Sequence, residues 1–163
     1  MAVNGTIYDV SASPQTYGPG GSYHFFAGRD ATRAFVTGCF AEDLVADLRG
    51  VEGMFMFVDD DDEGGQEGGG DRDDREGDEE KKGRGLSGAE RKVRRERELR
   101  VARRKVRESV GHWEGFFGRK GGKYFEVGRV AREEGWLERL PRRELCEGAR
   151  RGRPRRVGGN YED

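Results

Sequence analysis

The chain is poor in the residues that most enzymes use for chemistry, with two histidines and two cysteines among 163 residues. His24 and His112 belong to no Ser/His/Asp or Cys/His arrangement, and no glycine-rich phosphate loop leads into a helix with a suitably placed lysine. An independent enzyme is therefore not expected. Cys39 and Cys146 are widely separated and form no C-x-x-C pair, which argues against both a disulfide framework and a zinc site. Reduced thiols would suit a cytosolic face. No run of apolar residues is long enough to span a bilayer, and no signal peptide is recognisable. Only 33% of the residues are hydrophobic, whereas 39% are charged and 28 are glycine, so one core cannot run through the whole sequence.

The formal net charge of -1 conceals a strong segregation of sign. From Asp59 to Glu80 nearly every residue is Asp, Glu or Gly. Such a self-repelling tract cannot bury enough apolar surface to offset the entropy of ordering. It predicts a disordered acidic insertion over 59–85. The insertion would divide one domain into an N-terminal half, 1–58, and a C-terminal half, 86–140. Residues 141–163 are arginine-rich without an apolar period and read as a flexible basic tail.

The most informative stretch runs from Tyr8 to Arg33. Asn4-Gly5 just ahead of it is a two-residue turn signal, because both central positions of a type I′ turn need positive φ. It predicts a β-hairpin ending at Val10. Pro14, Gly18, Pro19, Gly20 and Gly21 then prevent regular structure while fixing a few backbone angles, so Tyr17 and Tyr23 sit on a constrained loop. Asp30 precedes the apolar-periodic run Ala31 to Phe40, where its carboxylate can cap the free amides of a helix. His24 beside Tyr23 would face away from it on an extended loop, which favours a surface or supporting role.

Further on, AEDLVADLRGVEGM places Leu44, Val45 and Leu48 on one face of a second short helix. Met54 to Val58 is apolar enough for a strand or a helix end, and its length does not decide between them. Ser87-Gly88-Ala89-Glu90 is an S-x-x-E capping box. The long helix it opens is overwhelmingly basic from Arg91 to Arg107, with Val93, Leu99, Val101 and Val106 as a thin apolar stripe. Gly111 weakens that helix before Trp113, Phe116 and Phe117 supply large apolar anchors.

The pattern NGxxYDV, YGPxGxY and FAGRDATRAF resembles the membrane-associated progesterone receptor (MAPR) family, and HWEGFFGRKGGKYFEVGRV resembles that family's closing elements. The resemblance implies an α+β, cytochrome b5-like heme/steroid-binding fold that begins inside its usual first elements, so that either the chain is truncated or one sheet edge is left open. It implies heme as cofactor, with Tyr23 as the tyrosinate iron ligand and Tyr17, Lys123 and Tyr124 near the heme. Phenolate is a hard anionic ligand suited to ferric iron, which argues for a sensor, chaperone or regulatory module over a fast electron carrier. It further implies a place at the endoplasmic reticulum or another endomembrane, on the cytosolic face, and regulation of sterol-metabolising heme monooxygenases. A sterol, those monooxygenases and a second copy of the chain are the partners expected beside heme.

Two other readings stand beside this one. One is a heme-free ligand-binding or scaffold domain. The other is a binder of anionic surfaces or nucleic acid through the Arg-rich helix. No groove-reading motif accompanies that helix, so no specific nucleic-acid partner is expected.

Overall fold

The computed structural model of the chain describes residues 1–58 and 87–156. The hairpin encoded by Asn4-Gly5 is its first element. Strands β1 (Ala2–Val3) and β2 (Thr6–Asp9) pair antiparallel with Ala2 opposite Ile7 and Val3 opposite Thr6. Asn4 and Gly5 take φ of 50° and 74°, the positive pair that matches the twist of the flanking strands. The backbone of Arg29 to Ala31 bonds to the outer edge of β1: the Ala2 amide donates to Arg29 at 2.8 Å and the Ala31 amide to Ala2 at 2.9 Å. The edge expected to be open is therefore paired locally.

A single helical turn, α1 (Pro14–Tyr17), follows, with proline at its start where a missing amide costs no bond. Helix α2 (Thr32–Thr37) is shorter than the Ala31–Phe40 run and ends at Gly38 in the left-handed conformation. Ala31 occupies the position before the first turn, yet Asp30 performs the expected service, accepting the Thr32 amide at 3.1 Å. The other Asp30 oxygen accepts the Gly5 amide at 3.1 Å, and Thr32 Oγ1 accepts the Asn4 amide at 2.6 Å. Hairpin turn and helix start are thereby locked together.

The second short helix does not form. Residues 39–50 run as turns, leading into a 3-10 segment at Val51–Phe55, so Met54 and Phe55 end a helical turn and Val58 forms an isolated bridge with Arg155. The reason lies in Asp43 and Asp47, whose side chains are 3% and 2% exposed. They turn inward to bond Arg33 and Arg49 instead of sitting on a solvated helix face.

Helix α3 (Gly88–Phe117) opens with the capping box: Ser87 accepts the Glu90 amide at 3.3 Å while Glu90 accepts the Ser87 amide at 2.8 Å. It runs through Gly111 rather than weakening there. Its buried stripe is Ala102, Val106, Val110 and Phe117, whereas Val93 and Val101 point outward. Strand β3 (Phe125–Arg129) then pairs antiparallel with β2, giving the sheet order β1-β2-β3. Phe26, Phe35 and Phe117 pack with Val3, Tyr8 and Ala34 between sheet and helices. Each fully buried Phe contributes about 2–3 kcal/mol. The α+β expectation holds, with helices packed against a small antiparallel sheet.

The C-terminal stretch differs most from the reading of the sequence. Residues 141–156, expected as part of a flexible tail, pack across the α2 end of the molecule. Helix α4 (Glu147–Arg151) buries Ala149, and Cys146 is bonded to Cys39 in a disulfide with Cα atoms 6.5 Å apart. The expectation of two reduced thiols is thus overturned. Spacing could not reveal a pair separated by 107 residues, and the segment lacks an apolar period because hydrogen bonds and the disulfide hold it. The acidic insertion over 59–85 and the tail beyond residue 156 lie outside the described residues.

Candidate functional site

The two loop tyrosines are brought together by a closed backbone circuit. Gly18 donates to Pro14 at 2.8 Å, Gly21 to Gly18 at 2.9 Å, and Tyr23 to Thr16 at 2.8 Å. The turns are tight enough that a Cβ on Gly18 would stand 2.5 Å from the Pro14 carbonyl oxygen, and one on Gly21 2.6 Å from that of Thr16. Any side chain at either glycine would force the loop open. The circuit sets the rings of Tyr17 and Tyr23 6.5 Å apart.

Tyr124, just ahead of β3, completes the group. Its ring stands edge-on to Tyr17 at 6.0 Å, and its hydroxyl bonds to the buried Ser13 hydroxyl at 2.8 Å. Tyr23 lies against Phe26 at 5.5 Å and edge-on to Phe40 at 5.4 Å and Phe25 at 6.1 Å. Phe116, 52% exposed, borders Tyr124 at 6.2 Å. The result is a half-buried aromatic panel contributed by four parts of the chain. Edge-to-face contacts of this kind fix ring orientation and contribute about 0.5–1.5 kcal/mol each.

Burial pushes the Tyr17 phenol well above its ordinary pKa, and the Tyr124 and Tyr23 phenols beside it push further in the same direction. Tyr17 is therefore a neutral hydrogen-bond donor at physiological pH. Lys123 stands exposed next to Tyr124. His24 is exposed and turned back on its own loop, with Nδ1 2.8 Å from the Gly21 carbonyl oxygen. Three of the four expected site residues, Tyr17, Tyr23 and Tyr124, thus converge, and Lys123 flanks them.

The panel presents aromatic area with phenol oxygens set among the rings, surface of a kind that could meet a flat apolar ligand carrying one polar contact. Elsewhere, Cys39, Asp43 and Cys146 bring three ligand-type atoms within 4.8 Å of one another. The sulfurs are bonded to each other and the carboxylate is paired with Arg33, so no donor remains for an ion.

Sequence reasoning missed Arg33, which is 0% exposed and holds the scaffold behind the panel. Its Nε donates to Asp43 at 3.0 Å, one terminal nitrogen to the carbonyls of Asp47 at 2.9 Å and Arg49 at 3.1 Å, and the other to Glu144 at 2.9 Å. A buried arginine survives only when its donors are satisfied in this way. The one hint was the pair of aspartates four residues apart in a segment otherwise read as helical.

The model of the cytochrome b5-like heme/steroid binding domain matches residues 1–100. A neuferricin homolog of Caenorhabditis briggsae is 58% identical over 52 residues, covering 31% of this chain and 16% of its own. Neuferricin of Danio rerio is 55% identical over 42 residues, 26% of this chain and 16% of its own. Membrane steroid-binding protein 2 of Arabidopsis thaliana is 52% identical over 52 residues, 31% of this chain and 22% of its own. The matched part of the chain thus spans less than a quarter of each of these relatives. No solved structure gives a significant match. Among the described residues no helix is long and apolar enough to cross a membrane.

Proposed function

Because the chain belongs to the cytochrome b5-like heme/steroid-binding domain family, we propose that the tyrosine panel binds heme, with the Tyr23 phenolate oxygen as the iron ligand. The observation that carries this reading is the convergence of Tyr17, Tyr23 and Tyr124 on one half-buried face, from positions up to 107 residues apart. Iron held by a phenolate favours the ferric state, so the bound group would supply sensing or storage rather than rapid electron transfer. Tyr17, kept neutral by burial and with its ring 6.5 Å from that of Tyr23, would place a neutral phenol beside the ligand oxygen. Ser13 fixes the Tyr124 hydroxyl, and Lys123 offers a cation to an anionic edge group of the ligand. Phe25, Phe40 and Phe116, packed against Tyr23 and Tyr124, would supply apolar surface to the bound group.

A sterol is the second ligand the same apolar face would accept, and the likeness to plant membrane steroid-binding proteins supports it. Association with endomembranes, regulation of heme monooxygenases there, self-association, and a binding rather than enzymatic role are further parts of the proposal. The Cys39–Cys146 disulfide favours the oxidising side of such a membrane over the cytosolic face.

Heme titration of the wild type against Tyr23→Phe tests the reading, because the substitution removes one oxygen and nearly preserves shape. A phenolate-to-iron charge-transfer band and tight binding are expected in the wild type and absent from the variant. Tyr124→Phe should show a weaker effect. An unchanged spectrum in Tyr23→Phe would refute the assignment.

A further inference from the structure

A groove of about 730 Å³ lies at the other end of α3 from the tyrosine panel. One wall is the 3-10 segment and the residues after it, presenting Phe55 and Phe57. The opposite wall is a ridge of α3 in which every fourth residue faces the groove, and it reads Val93, Arg97, Val101 and Lys105. Residues at this spacing share one helix face, and the span from Val93 to Lys105 is about 18 Å at 1.5 Å per residue. Val93 and Val101 are 48% and 44% exposed and Phe57 is 38% exposed, an apolar strip left in contact with water on an otherwise charged helix.

The charges along this strip are unevenly matched. Glu98 is held by Arg94 and by Arg156, the latter at 2.6 Å, and Glu90 is committed to the capping box. Lys105 lies 5.8 Å from the Phe55 ring centre, and among the described residues no carboxylate pairs with it or with Arg97. The groove therefore combines hydrocarbon surface with two cations free to meet an anion.

We propose that this groove binds a long-chain carboxylate, its hydrocarbon tail along Phe55, Phe57, Val93 and Val101 and its carboxylate at Lys105, which ends the strip, with Arg97 adding positive charge alongside. Charge complementarity selects the head group, and the length and apolarity of the strip select the tail. The chain's own acidic tract at 59–80 matches the cations but contains no apolar side chain to cover the phenyl rings and valines. A fatty acid matches both. The site shares no residue with the tyrosine panel, whose nearest member on the same helix, Phe116, lies about three helical turns beyond Lys105, so the groove can be tested apart from heme binding.

The test uses the full chain without added heme and cis-parinaric acid, whose fluorescence rises in apolar surroundings, with hexadecanoate and hexadecanol as displacers. Saturable binding of one probe per chain is expected. Val101→Asp, at a half-exposed position that tolerates the change, should weaken it at least about tenfold, with Val93→Gln as a milder second variant. Arg97→Glu with Lys105→Glu should weaken displacement by hexadecanoate about tenfold while leaving hexadecanol unchanged. Tyr23→Phe should bind the probe as the wild type does even where it fails with heme. The proposal is overturned by absence of saturable binding, by full affinity in both valine variants, or by equal sensitivity of acid and alcohol to the charge reversal. It is also overturned if binding is lost in Tyr23→Phe, or if it emerges only after the acidic residues of 59–80 are neutralised.

Discussion

Arg33 and Asp43 form an ion pair in which the arginine side chain is 0% and the aspartate 3% exposed, with Nε 3.0 Å from Oδ1. The same carboxylate accepts the Thr37 hydroxyl at 2.7 Å, and the guanidinium reaches carbonyl oxygens on both the 47–49 turn and the 143–144 segment. One side chain on α2 therefore joins three stretches of chain that share no strand pairing.

Arg33→Met should destabilise the protein by about 3–5 kcal/mol, because it strands the Asp43 charge in a dry site. Arg33→Lys should recover little, since an ammonium cannot serve acceptors spread around a planar fork. Urea unfolding of both variants measures this, and a loss under about 1 kcal/mol in Arg33→Met would show that the network is dispensable.

Reduction of the Cys39–Cys146 bond should lower stability by about 2–5 kcal/mol, as expected for a cross-link closing a long loop, here with a sequence separation of 107. Paired thermal melts with and without a reductant, with Cys39→Ser/Cys146→Ser as the insensitive control, read the difference. An identical melting temperature in all cases would mean that hydrogen bonds alone hold the segment.

These two features mark where the sequence stops being legible. The Asn4-Gly5 turn, Ser87 with Glu90, and the bond from the Thr32 amide to Asp30 join residues at most three positions apart, so their pattern in the chain announces them, whereas the bonds of Asp30 to Gly5 and of Asn4 to Thr32 do not show there. The tyrosine loop is similar, since its glycines and proline act locally. Arg33 and Cys39 instead find partners up to 111 residues off, at positions with no periodicity to announce them. Where long-range side-chain bonds were available, they overrode local preference: the Leu44–Leu48 pattern was helical, and Asp43 and Asp47 drew it into turns. Family likeness singled out Tyr17, Tyr23 and Tyr124 as candidates, but the contacts of Tyr17 with the other two and the Ser13 hydroxyl bond became visible only in three dimensions.

Tyr17→Phe should keep the charge-transfer band of the heme complex, because the ligand atom remains, while weakening heme affinity about tenfold through loss of the polar phenol beside the ligand. Absorbance titration distinguishes the two roles. Loss of the band in Tyr17→Phe with retention in Tyr23→Phe would exchange the assignments.

Burial works to raise the Asp47 pKa, but hydrogen bonds from the Arg49 side chain and amide outweigh it and hold the carboxyl below its ordinary value. A group with a depressed folded-state pKa contributes stability that is present above its unfolded value, about 3.9, and is lost as pH falls through the folded value. The wild type should therefore lose stability below about pH 4 more steeply than Asp47→Asn. At pH 7 the variant should be less stable by about 1.5–3 kcal/mol, as for a hydrogen bond to a charged group. Parallel acid limbs in the two proteins would remove Asp47 from the account.

The packing of residues 141–156 bears on where a recombinant domain can be cut. A product stopped at Leu140, the end that composition alone recommends, would remove the Glu144 carbonyl that accepts from Arg33 and the sulfur that partners Cys39. It would retain every tyrosine of the panel and yet leave a cationic hole behind it, so poor heme uptake by such a fragment would reflect collapse of the scaffold rather than a defect in the ligand set.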